Sequence, residues 1–141
     1  IPTGQIAPVE GTPFDFREPH AIGERIGADN QQLRNGGGYD HNWVIDRKTE
    51  SGIEQVATVW EPASGRTIEV LSDQPGLQVY SGNFFDGKSI GKYGKPQRYR
   101  ESLALETQKF PDSPNHDNFP STVLRPGETY TQVCIYKFGV K

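Results

Sequence analysis

"VATVWEPASGRTIEVLS", residues 56 to 72, decides how this chain is to be read. The run "IEQVATVWE" alternates apolar and polar residues and stops at Pro62, which has no N–H to give to a sheet ladder. Ser64 and Gly65 follow as a turn, after which Ile68 and Val70 recur at period two on one face. Two alternating runs around a Ser-Gly turn predict a β-hairpin.

The same pattern extends in both directions. "GLQVYSGNF" reads as a strand with Leu77 and Val79 on one face and Gln78 and Tyr80 on the other. "ESLALETQ" is another strand, and "ETYTQVCIYKFGV" is expected to close the chain as a strand after a "RPGE" turn. A glycine-rich loop covers 86–96. Upstream, residues 1–20 carry Pro2, Pro8, Pro13 and Pro19 among Gly4 and Gly11, which predicts extended, turn-rich chain with a single strand at 5–9. Residues 21–35 form at most a short helical turn, weakened by Gly23 and Gly27. In "NGGGYDHNWVID" three glycines free the backbone before an aromatic strand. The fold class is all-β, a sandwich or part of a larger antiparallel one.

Composition agrees. The chain has 141 residues, one domain by size, with only 33% hydrophobic residues but 16 Gly and 11 Pro, a mixture suited to short strands and tight turns. Two Trp, six Tyr and seven Phe argue against disorder. The net charge of −3 comes from interspersed acids and bases without a basic patch, so no nucleic-acid partner is expected. No stretch approaches 18 apolar residues, so no membrane-spanning helix is expected. Cys134 is the single cysteine; it excludes an internal disulfide and reads as a small buried hydrophobe. The opening "IPTGQIAPVEGTPFDF" reads as the middle of a protein. The expected compartment is the cytoplasm, with the periplasm or secretion left open.

Glu106 raises the functional question, because it follows the apolar run Leu103-Ala104-Leu105. Period two puts it on the face of Ser102 and Ala104, opposite the leucines. It is either an exposed strand-end glutamate or a general base and hydroxyl acceptor on the concave side of a sheet. A carboxylate is ionised at neutral pH but only weakly basic, so it abstracts a hydroxyl proton only when an acid acts elsewhere on the same substrate. Asp40 and His41 are adjacent in "GYDHNW"; on an extended strand they point to opposite faces, which disfavours a nucleophilic dyad and lets one serve a site and the other structure. Asn42 is expected to cap the local backbone. Gln78 faces solvent or, as an amide that both donates and accepts, a polyol. Trp43, Trp60, Tyr80, Phe84 and Phe85 are core residues or sugar-stacking platforms. His20, His41 and His116 are too dispersed for a metal site, and none is expected. "DGKSIGKYGK" lacks the phosphate-loop order.

Five segments taken in order, "IPTGQIAPVEGTPFDFR", "NGGGYDHNWV", "SDQPGLQVYSGNFFDG", "LALETQKFPDSPNHDNFPSTVLRPGETY" and the closing "YKF", resemble the galactose mutarotase (aldose 1-epimerase) family across essentially the whole chain. The resemblance implies a large antiparallel β-sandwich, the galactose mutarotase-like supersandwich, and an enzyme that interconverts the α and β anomers of free aldohexoses such as glucose or galactose. By the same resemblance Glu106 in "LETQ" matches the catalytic base, Asp40 in "GYDHN" matches a residue that holds sugar hydroxyls, and Gln78 in "PGLQVY" lines the same pocket. No cofactor is implied. The family's acid histidine, a second histidine and a sugar-binding arginine lie upstream and have no counterpart here. Residues 1–141 are thus expected to be the C-terminal part of one mutarotase-like domain, partnered by an N-terminal portion on the same polypeptide or as a separate chain. A piece of this kind should expose sheet edges and be inactive or poorly soluble alone.

Three alternatives follow from other classes. A non-catalytic sugar-binding domain has no need of Glu106. A glycoside hydrolase would use Asp40 and Glu106 as its carboxylate pair. A hexose 6-phosphate epimerase would want a cationic cluster, for which Lys88, Lys92 and Lys95 are the candidates.

Overall fold

The computed structural model describes residues 2–141; Ile1, the first letter of the opening motif, lies outside the described residues. The chain has two compact units, one formed by Asn42–Gln78 and Leu105–Lys141 with the residues up to Gly4, the other by Gln5–His41 and Val79–Ala104. Most regular structure is strand, in two antiparallel three-stranded sheets with few helical turns, as the alternation predicts.

The first unit contains the expected hairpin. β2 (Glu54–Trp60) and β3 (Arg66–Ser72) pair antiparallel with Trp60 opposite Thr67, Val59 opposite Ile68 and Ala57 opposite Val70. The turn is held by Glu61, whose carboxylate accepts from the Ala63 and Ser64 amides, each at 2.8 Å. Gly65 is needed there on two counts. Its φ of +71° disfavours a side chain, and a Cβ would lie 2.6 Å from the Lys141 carbonyl oxygen. β6 (Cys134–Val140) adds antiparallel to β3, with Tyr136 opposite Val70 and Phe138 opposite Ile68.

This last strand is shorter than the sequence predicts. The Val133 amide donates to the Asp73 carboxylate at 3.1 Å, so regular pairing starts one residue later. Cys134 is half-buried, not the fully buried hydrophobe expected, because β6 is an outer strand. In the "RPGE" turn the Glu128 amide donates to the Arg125 carbonyl at 3.0 Å.

The other sheet has the order β1 (Asp40–Val44), β4 (Gly76–Tyr80), β5 (Ala104–Gln108). Its first-unit residues are Asn42–Val44, Gly76–Gln78 and Leu105–Gln108. Within that unit β5 and β6 are tied directly, since the Tyr136 hydroxyl donates to the Leu105 carbonyl.

The second unit packs around Tyr39, which is fully buried against the edges of Phe14 and Phe16 and donates its hydroxyl to the Pro13 carbonyl at 2.9 Å. Ser81 and Asn83 satisfy the Tyr39 carbonyl, at 3.1 and 2.8 Å. Two short helices form where one weak turn was expected, α1 (Ile22–Arg25) and α2 (Gln31–Gly36). Gly27 falls between them, and Asn30 starts the second by accepting from the Gln32 amide at 2.8 Å. The strand expected over 5–9 does not form; that stretch stays irregular up to the Val9–Thr12 turn. The 86–96 loop is drawn together by a bridge between Ile90 and Pro96.

Candidate functional site

β5 presents two polar side chains on one face, Glu106 and Gln108, because alternate residues of a strand point the same way. Glu106 is exposed, while Thr107, on the opposite face, is buried. The expected separation of a polar and an inward face therefore holds at Glu106. The Glu106 carboxylate also lies near enough to Tyr136 to influence its phenol. That phenol is pushed above its usual pKa mainly by burial, with further contributions from Cys134 and from the negative charge of Glu106.

Gln108 connects β5 to the other two strands of its sheet. Its Nε2 donates to Gln78 Oε1 at 3.3 Å and to Asn42 Oδ1 at 3.2 Å. Gln78 stands on β4 and Asn42 on β1, so three primary amides from three strands meet. Gly76 makes this possible. A Cβ at position 76 would sit 2.5 Å from Asn42 Oδ1, so only a glycine leaves room for the Asn42 side chain over β4.

Asn42 thus does not cap a turn, as its place in the sequence suggests. It lies inside a strand, and its side chain bonds across the sheet. Gln78 is not a freely solvated strand residue either. Asn42 and Gln108 were not among the sequence-predicted site residues. The available signal was the period-two relation of Gln108 to Glu106 within "LETQ".

Asp40 and His41 lie in the second unit. Asp40 is half-buried at the start of β1, and its amide donates to His41 Nδ1 at 3.0 Å. A ring nitrogen that accepts must be unprotonated. Consistently, burial holds the His41 pKa below its ordinary value, against the pull of Asp40. The His41 ring packs edge-on to Phe14 with centroids 4.7 Å apart. This is a packed, neutral histidine. The lysines considered for phosphate binding are all exposed, and Lys88 is paired with Asp86 at 2.7 Å.

The sequence pattern of the aldose 1-epimerase family matches residues 1–137. The chain belongs to the aldose 1-epimerase family. It is 45% identical over 140 residues to the galactose mutarotase of Mus musculus and 38% identical over 140 residues to the aldose 1-epimerase of Escherichia coli. These alignments cover 99% and 98% of this chain but only 39% and 40% of those proteins. The crystal structure of a GalM/aldose epimerase homologue from C. elegans superposes with a TM-score of 0.80 at 29% identity, over 99% of this chain and 40% of that one. This epimerase-family chain therefore spans about two fifths of the length of the relatives it matches, with their fold. Among its described residues no helix is long and apolar enough to cross a membrane.

Proposed function

We propose that residues 1–141 form the C-terminal part of a single mutarotase-like β-sandwich domain. In this reading the whole protein interconverts the α and β anomers of free aldohexoses such as glucose or galactose. Glu106 is the general base. A histidine acid comes from an N-terminal portion, on the same polypeptide or on a separate chain. Asp40 and Gln78 hold the sugar hydroxyls.

The observation that carries the reading is the exposed carboxylate of Glu106 on the same strand face as Gln108, whose amide is bonded to Gln78. Successive same-face residues on a strand are about 7 Å apart, a spacing that one pyranose ring spans. Glu106 takes the proton from the anomeric hydroxyl while the histidine protonates the ring oxygen. The C1–O5 bond breaks, leaving an open-chain aldehyde, and rotation about C1–C2 presents the other carbonyl face. Closure returns both protons. C1 keeps its oxidation level throughout, so the reaction needs no redox partner. Amide and carboxylate hydrogen bonds supply the positioning that makes weak acid-base catalysis effective.

Glu106→Gln in the intact polypeptide tests this. The amide preserves shape but cannot take the proton, so kcat for α-D-galactose or α-D-glucose, followed by polarimetry, should fall about 10²- to 10⁴-fold with sugar binding retained. A mutant rate equal to that of the unmodified protein removes Glu106 from the mechanism.

A further inference from the structure

Alternate residues of an outer strand turn their backbone groups away from the sheet, where no strand ladder receives them. β5 is such a strand, with β4 on its other side. Two of its alternate carbonyls, at Leu105 and Thr107, are taken up by side chains instead. The Tyr136 hydroxyl donates to the Leu105 carbonyl. Gln132 Nε2 donates to the Thr107 carbonyl at 2.6 Å and lies 3.2 Å from the Thr107 hydroxyl. Gln132 is itself held, since its Oε1 lies 3.0 Å from the Tyr130 hydroxyl. These residues all belong to the first unit. The two caps run antiparallel to β5, Tyr136 at Leu105 and Gln132 at Thr107, along the edge where a further strand would pair.

The residue between the two capped carbonyls is Glu106. The Leu105 carbonyl shares a rigid peptide plane with the Glu106 N–H, so fixing the one fixes the other. With the Thr107 carbonyl held as well, the Glu106 Cα is restrained from both sides. We infer that Gln132 and Tyr136 are positioning residues, which clamp the β5 backbone around Glu106 and so hold its carboxylate in place for proton transfer. This rests on the proposed role of Glu106 as the base and names the groups that steady it. Both act through the β5 backbone. A base that drifts from the attacking geometry slows the proton-transfer step, whereas sugar binding by other residues persists.

The test uses variants of the intact polypeptide, with initial rates of α-D-galactose and α-D-glucose mutarotation measured by polarimetry. Tyr136→Phe keeps the ring and removes the donor. Gln132→Leu keeps most of the bulk and removes the amide. Each should lower kcat about tenfold while KM stays within about twofold. Melting curves recorded alongside give the folded fraction at the assay temperature. In a Glu106→Gln background the same substitutions should leave the residual kcat unchanged, because the group they steady no longer takes a proton. A fall in kcat that merely follows the folded fraction, or that recurs at full size in the Glu106→Gln background, means that the caps serve the fold alone and overturns the inference. If Gln132→Leu does not fold, Tyr136→Phe decides by the same criteria. If Glu106→Gln itself leaves kcat unchanged, the reading of Glu106 as the base fails and the inference with it. If Glu106→Gln lowers kcat and the cap variants do not, the positioning role alone is refuted.

Discussion

Two ends of one sheet face behave differently. Sheet β2–β3–β6 carries the rows Ala57-Val70-Tyr136 and Val59-Ile68-Phe138 on the same side, with Val140 beyond them. At the first row Val70 is completely buried, and Tyr136 reaches the β5 backbone. At the second, Phe138 is 74% exposed, and Val140 is 80% exposed. Alternation is equally regular at both ends, so sequence periodicity cannot distinguish them. What differs is how far the side chains are withdrawn from water. Within the described residues Val70 is completely buried beside the Tyr136–Leu105 bond, whereas Phe138 and Val140 are mostly in water.

The contrast has a direct energetic test. Val70→Ala should lower the unfolding free energy of the 1–141 chain by about 2 kcal/mol in urea melts, since it removes fully buried methyl groups. Phe138→Ala deletes a larger side chain yet should lower it by less than about 1 kcal/mol, because most of that ring is already in water. In an intact polypeptide in which the proposed N-terminal portion covers this face, the order should invert, with Phe138→Ala rising to about 3–5 kcal/mol. Equal effects of Phe138→Ala in both contexts would show that this face stays open in the whole protein.

The comparison also shows what the sequence could and could not reveal. The hairpin at 56–72 was legible because its signal is local, with period two on either side of Ser64-Gly65. The β4 and β5 strands, and the orientation of Glu106 away from the leucines, follow from the same rule. Asn42 could not be placed, because its partner Gln108 is 66 residues away and the space it fills is defined by a missing side chain on a third strand. The start of β6 was misplaced for a related reason, since the Asp73 side chain competes for the Val133 amide. The apolar neighbours of Cys134 predict burial, but an outer strand leaves it half-covered.

A smaller effect should appear as a pH dependence at Tyr136, the neighbour of Val70 on β6. The folded protein holds the Tyr136 phenol above its ordinary pKa of 10.0, chiefly through burial. The unfolded chain therefore loses this proton first as pH rises. The stabilisation is complete below about pH 10 and is lost as pH climbs toward the folded-state value. Tyr136→Phe should lower stability at neutral pH by about 1 kcal/mol, through loss of the bond to Leu105. It should also flatten the alkaline decline in melting temperature measured from pH 9 upward. Tyr39, whose phenol is raised by burial as well, keeps part of that decline in the variant. An unchanged alkaline slope would mean that Tyr136 does not sense its burial.

The smallest effect belongs to the opposite side of the same sheet, and its smallness is informative. Lys137 and Glu69 face each other across β3 and β6 with Nζ and Oε2 3.0 Å apart, beside the apolar rows but on the other surface. The lysine side chain is 66% exposed, so water and salt screen the pair, and holding two long side chains in register costs entropy. Lys137→Ala should change the unfolding free energy by no more than about 0.5 kcal/mol, and less at 0.5 M salt than at 0.05 M. If this face is also buried in the intact polypeptide, the result reverses. An unpaired Glu69 would then be stranded in a dry environment, and the same substitution would rank with Phe138→Ala rather than below it. Comparing the two substitutions in the 1–141 chain and in the intact protein thus determines which side of the sheet receives the added layer, because only the substitution on the covered side should grow.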